Sequence, residues 1–103
     1  MTFDKVREVV EKYKRIPVLL HEPAKQINDY SRCTSDKPKI LKHINYMLYK
    51  LSDLLDESRL EKSFRWLGFI QGCLFCLGLC SLNDLKNDSR NRPDQNQMWF
   101  KFD

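Results

Sequence analysis

The sequence predicts an all-α domain: a hairpin of two long helices, buttressed by two shorter N-terminal helices and assembled with further copies into an oligomeric helical bundle. Three observations predict it. Apolar residues recur at spacings of three and four along most of the chain, the signature of amphipathic helices. Only three glycines and four prolines occur in 103 residues, which excludes turn-rich all-β and collagen-like readings. The stretch from Trp66 to Cys80 is apolar nearly all round, so it must be covered on every face. A chain of this length with three other helices can hardly provide that cover alone, and the simplest source is another copy. Hydrophobic residues at 42% and charged residues at 31% give a globular balance. The length suits one domain, drawn at residues 1–86, with a polar tail at 87–103 that ends in an aromatic cluster.

Thr2 is placed to cap a first helix, with Asp4 in its first turn and Phe3, Val6, Val10 and Tyr13 on one stripe. Pro17 ends that helix near Arg15. Pro23, a residue favoured at the first helical position, is expected to open a short second helix with Ile27 and Tyr30 inward. A loop through Cys33 to Lys37 leads to the third helix. There Ile40, Leu41, Ile44, Met47, Leu48, Leu51, Leu54 and Leu55 keep the rhythm for about four turns. Ser58-Arg59-Leu60-Glu61 matches a capping box for the fourth helix. Helices three and four are therefore expected to form a tight antiparallel hairpin from about Lys39 to Leu79. Gly78 is placed to end helix four. Ser81 to Asp84 starts a short fifth helix with Leu82 and Leu85 as contacts.

Gly68, Gly72 and Cys76 form a row of small residues along helix four, which permits close backbone approach. With Phe69 and Phe75 they make the expected oligomer interface; the alternative is that the glycines accommodate a bulky residue of helix one or two. Trp99, Phe100 and Phe102 are a candidate partner-binding tail, since aromatic anchors dominate protein interfaces.

The apolar run is too short for a membrane span, and the charged N-terminus has no signal-peptide core, so a cytoplasmic protein with no membrane partner is expected. Cys33, Cys73, Cys76 and Cys80 then read as reduced thiols, the last three as small apolar residues rather than metal ligands. Neither a cofactor nor a metal is expected. The sequence carries no G-x-S-x-G, phosphate loop, H-E-x-x-H or carboxylate pair in an apolar setting, so the expectation is a non-enzyme.

Anion binding is better supported. Tyr13, Lys14 and Arg15 close helix one, and His21 and Lys25 flank the expected start of helix two, where free amides attract negative charge. Lys39, His43 and Tyr46 share the polar side of helix three with Lys42 and Lys50, a mix of cations and rings suited to phosphates and bases. The net charge of +4, from 18 basic and 14 acidic residues, is small for a duplex-DNA binder but ample for a small phosphate-bearing ligand.

The segment Leu60-Glu61-Lys62-Ser63-Phe64-Arg65-Trp66-Leu67-Gly68-Phe69-Ile70-Gln71-Gly72 resembles a stretch of small helical proteins encoded by tailed phages. More distantly, residues 40–80 resemble the hairpin domain of phage anti-CBASS and anti-Thoeris sponge proteins. Those proteins oligomerise and sequester cyclic nucleotide signals without cleaving them. The resemblance implies a phage anti-defence protein that binds a small anionic, cyclic oligonucleotide in the host cytoplasm. A protein–protein inhibitor of a host factor and a sequence-tolerant nucleic-acid binder are the alternatives. That family's acidic pair and tryptophan are replaced here by Ile70-Gln71 and Phe75, so no site residue is carried over from it.

Overall fold

The computed structural model describes residues 2–32 and 36–88. They form α1 (Phe3–Lys14), α2 (Pro17–Leu20), α3 (Lys37–Asp56), α4 (Leu60–Cys76) and α5 (Leu82–Asp88), with no strand among the described residues. The long α3 and α4 pack on each other and α1 lies against both, so the all-α class and its helical hairpin are observed.

Helix α1 begins where Thr2 Oγ1 accepts the Lys5 amide at 3.2 Å. Its inward residues are Val6, Val9, Val10 and Tyr13, with Phe3 partly covered. They meet Leu41, Ile44, Leu48, Leu51, Leu54 and Leu55 of α3 and Leu67, Ile70 and Leu74 of α4 in one core. The heptad-like stripe of α3 is thus buried as its spacing requires.

The second helix departs from expectation. It is a single turn at Pro17–Leu20 rather than a helix opening at Pro23, and the chain from Glu22 to Asn28 is irregular. The cause lies on α3. Asn45, buried among apolar neighbours, donates through Nδ2 to the carbonyls of Leu19 and Glu22, both at 2.7 Å. A helix starting at Pro23 needs the Glu22 carbonyl for its own first bond. Lys25 N–H also bonds the Lys42 carbonyl at 3.1 Å, and Ile27 N–H bonds His43 Nδ1 at 3.1 Å. Tertiary hydrogen bonds therefore hold residues 22–28 as a strap along α3, overriding the preference of proline for a helix start.

The turn between α3 and α4 also differs. Ser58 is not the N-cap of α4: it takes φ 59°, and α4 has Arg59 as its N-cap with no side-chain capping bond. Ser58 N–H reaches the Leu55 carbonyl at 3.1 Å and Arg59 N–H the Leu54 carbonyl at 3.0 Å, which closes α3 in a Schellman motif. Glu61, expected to complete the box, pairs instead with Arg65 at 3.2 Å. The same closure ends α4, where Gly78 takes φ 76° and Leu79 N–H bonds the Leu74 carbonyl at 2.9 Å.

A genuine capping box opens α5: Asp84 N–H donates to Ser81 Oγ at 3.1 Å, and Ser81 N–H to Asp84 Oδ2 at 2.9 Å. Leu85 is buried, whereas Leu82, expected as a contact, is 41% exposed. α5 runs on through Asn87 and Asp88, so the polar tail drawn from residue 87 begins inside a helix. Asp88 is buried; its Oδ2 accepts the Tyr13 hydroxyl at 2.8 Å and its Oδ1 the Lys12 ammonium at 2.6 Å. Gln71 Nε2 donates to the same hydroxyl at 3.1 Å, tying α1, α4 and α5 together. Cys33, Trp99, Phe100 and Phe102 lie outside the described residues.

Candidate functional site

Where the strap crosses the hairpin, it leaves a cavity of about 240 Å³ lined by Gln26, Asp29, His43, Tyr46, Met47, Trp66 and Phe69. The strap supplies Gln26, the turn that follows it Asp29, α3 the next three, and α4 the last two. A larger hollow of about 410 Å³ surrounds the start of α4, but its walls, Ser58 to Lys62 and Arg65, belong to one turn and its cap. No second element faces them there, so that hollow is ordinary space between surface side chains.

His43 organises the smaller cavity. Its ring lies 6.0 Å from Tyr46, nearly parallel at 25°, and meets Phe69 edge-on at 6.2 Å and 81°. Burial holds its pKa below the ordinary value of 6.5, against the opposing pull of Asp29. Because Nδ1 accepts the Ile27 amide, the neutral ring carries its proton on Nε2. Asp29 Oδ1 accepts Gln26 Nε2 at 3.2 Å, which fixes the two polar groups relative to each other. The ammonium of Lys62 stands 5.6 Å above the Trp66 ring, beside the cavity wall.

Of the residues predicted to bind a ligand, only His43 and Tyr46 come together here. Tyr13 is fully buried in the Asp88–Gln71 network and has no surface to offer a ligand. Burial pushes its hydroxyl pKa far above the ordinary 10.0. Lys14 donates to Glu11 at 3.0 Å and Ser52 at 2.9 Å and covers Tyr49, an intramolecular role. Arg15, His21, Lys25 and Lys39 are exposed and do not line the cavity. With no helix at Pro23, the argument from a helix start at Lys25 falls. Gln26, Asp29, Lys62 and Trp66 went unrecognised as site residues. Trp66 had a legible signal, because a tight turn at 57–59 sets the middle of α3 opposite the middle of α4. The strap had none, since Asn45 and His43 fix it from a distance in sequence.

Beside the cavity lies the outer face of α4. Ser63, Leu67, Ile70, Gln71 and Leu74 turn inward, while Gly68, Phe69, Gly72, Phe75 and Cys76 are all exposed. Phe64 is 37%, Phe69 54% and Phe75 46% exposed. Nothing lies within 4 Å of where a Cβ would stand on Gly68 or Gly72, so these glycines do not make room for a residue of α1 or α2.

The described cysteines assemble no ligand set: Cys73 and Cys80 pack against the core, Cys76 is exposed, and burial raises the Cys80 thiol pKa. No three His, Cys, Asp or Glu side chains converge among the described residues as metal ligands would. Nor is any described helix long and apolar enough to cross a membrane.

Fold and site together define a small all-α chain with an aromatic cavity beside a helix face that the other described residues leave exposed. No protein-family model, curated protein or solved structure matches it.

Proposed function

We propose that this chain is a non-enzymatic, phage-encoded anti-defence protein that sequesters a small anionic signal of the cyclic oligonucleotide type within an assembly of copies in the host cytoplasm. One observation carries the reading. Phe69 belongs both to the cavity wall and to the exposed face of α4, so a second copy packed on that face would also cover the cavity's open side. Assembly and ligand retention would then be one event.

The chemistry suits holding rather than cutting. A base entering the cavity can stack on one of its aromatic walls, Tyr46 or Trp66, and meet Phe69 edge-on, since Phe69 stands steeply inclined to the His43–Tyr46 pair. Lys62, above Trp66, and the exposed Lys25, next to Gln26 in the strap, carry no ion pair among the described residues and would be the cations that meet phosphates. The nucleic-acid alternative is favoured by no specific observation, because His43 and Tyr46 line the cavity rather than standing among the exposed cations of α3. The protein-inhibitor alternative keeps one specific observation: Phe64 and Phe75, exposed on one side of α4, offer aromatic anchors to another protein.

Thermal unfolding with a panel of cyclic oligonucleotides tests the proposal, followed by recovery of the ligand from the heated complex. A ligand at a hundredfold excess over Kd should stabilise the fold by about 2.7 kcal/mol, and the ligand should return chemically intact. No shift with any member of the panel would overturn the nucleotide reading.

A further inference from the structure

We infer that the cavity selects a guanine base, recognised along its donor–donor–acceptor edge by Asp29 and His43. The inference rests on the nucleotide-binding reading and adds to it the identity of the base. The first observation is size. At about 240 Å³ the cavity lies below the range for drug-sized ligands, so it takes one ring system and leaves the remainder of a cyclic dinucleotide outside.

The second is a mismatch that needs a reason. A carboxylate is an unfavourable neighbour for a phosphate, yet Asp29 stands in the cavity wall while Lys62 stands outside it above Trp66. Asp29 is therefore suited to the base rather than to the backbone. An ionised carboxylate only accepts hydrogen bonds, and with one bond taken from Gln26 it keeps further lone pairs on both oxygens. Guanine offers two adjacent donors, N1–H and the N2 amino group, which such a carboxylate receives as a pair. Adenine presents the N1 lone pair at the same place, so a carboxylate repels it.

The third observation is the tautomer of His43. Its Nδ1 is committed to the Ile27 amide, so a neutral ring can only donate, through Nε2. Guanine O6, beside N1–H, accepts that proton. A quaternary ammonium would also favour aromatic walls and a carboxylate, but it has no acceptor for the Nε2 proton.

Calorimetric titration of the full chain with cyclic di-GMP, cyclic di-AMP and choline tests this. Cyclic di-GMP should bind at least about tenfold more tightly than cyclic di-AMP, in keeping with one good bidentate contact. Asp29 is exposed and its carboxylate bonds the exposed Gln26, so Asp29→Asn should keep the unliganded melting temperature and bring the two affinities together. Equal affinities in the unmodified chain would overturn the guanine assignment and leave the proposed function standing. Choline binding in the absence of any nucleotide binding would overturn both.

Discussion

Tyr13→Phe is the most discriminating single substitution, because the sequence suggested a ligand contact and the structure gives a buried strut. One oxygen is removed and no ring atom is lost. That oxygen donates to Asp88 at 2.8 Å and accepts from Gln71 at 3.1 Å. Tyr13 is 0% exposed, Asp88 6% and Gln71 7%, so water cannot easily replace it. A hydrogen bond to a charged acceptor contributes about 1.5–3 kcal/mol, and a buried amide left without a partner costs about 1–3 kcal/mol. The two effects share one atom and Asp88 keeps Lys12, so they combine to less than their sum, about 2–4 kcal/mol. For a domain of this size each kcal/mol lowers Tm by about 4–8 °C. Urea unfolding followed by helical circular dichroism measures the loss directly. A loss below about 0.5 kcal/mol would refute the strut, and weaker ligand binding at unchanged stability would restore Tyr13 as a ligand residue. The same hydroxyl gives a pH signature. Burial raises its pKa in the folded state, so its contribution is intact below pH 10 and is lost as pH rises beyond that value. Alkaline destabilisation should be weaker in Tyr13→Phe.

Other outcomes follow from the same geometry. His43 has a lowered folded pKa, so stability should fall as pH drops from 6.5 through that lower value, and His43→Gln should flatten a melting-temperature profile over pH 7 to 5. Gly72→Leu meets nothing within 4 Å, so it should stabilise the isolated chain by about 0.5–1 kcal/mol while reducing the assembly seen by size exclusion. An unchanged assembly would remove the glycine row from the interface. Ser58→Gly should raise stability by about 0.5–1 kcal/mol in urea unfolding, since φ 59° suits glycine and strains serine. A loss would contradict the Schellman closure of α3.

What the sequence revealed was the part governed by local pattern. The 3-4 rhythm placed α1 and α3, and the ends of α1 and α4 followed from Pro17 and from the left-handed preference of Gly78. It misled where tertiary contacts outrank local preference. Pro23 is a good helix opener, but Asn45 takes the carbonyl that such a helix would need. Ser58 and Glu61 have capping-box spacing, yet α3 uses Ser58 for its own termination. The site was half legible for the same reason. His43 and Tyr46 were visible as a basic–aromatic pair, whereas Gln26 and Asp29 reach the cavity only because the strap is pinned from α3. Tyr13 looked available because it follows the apolar stripe next to two cations, and the partner that buries it, Asp88, is 75 positions away.

The central claim is that the outer face of α4 is a contact between copies and that Phe69 joins it to the ligand cavity. Multi-angle light scattering of the eluting protein tests it directly. The account predicts a molar mass at least twice the 12.4 kDa of one chain, falling toward the single-chain value in Phe69→Glu with its helix content retained. A single-chain mass for the unmodified protein at every concentration would contradict it.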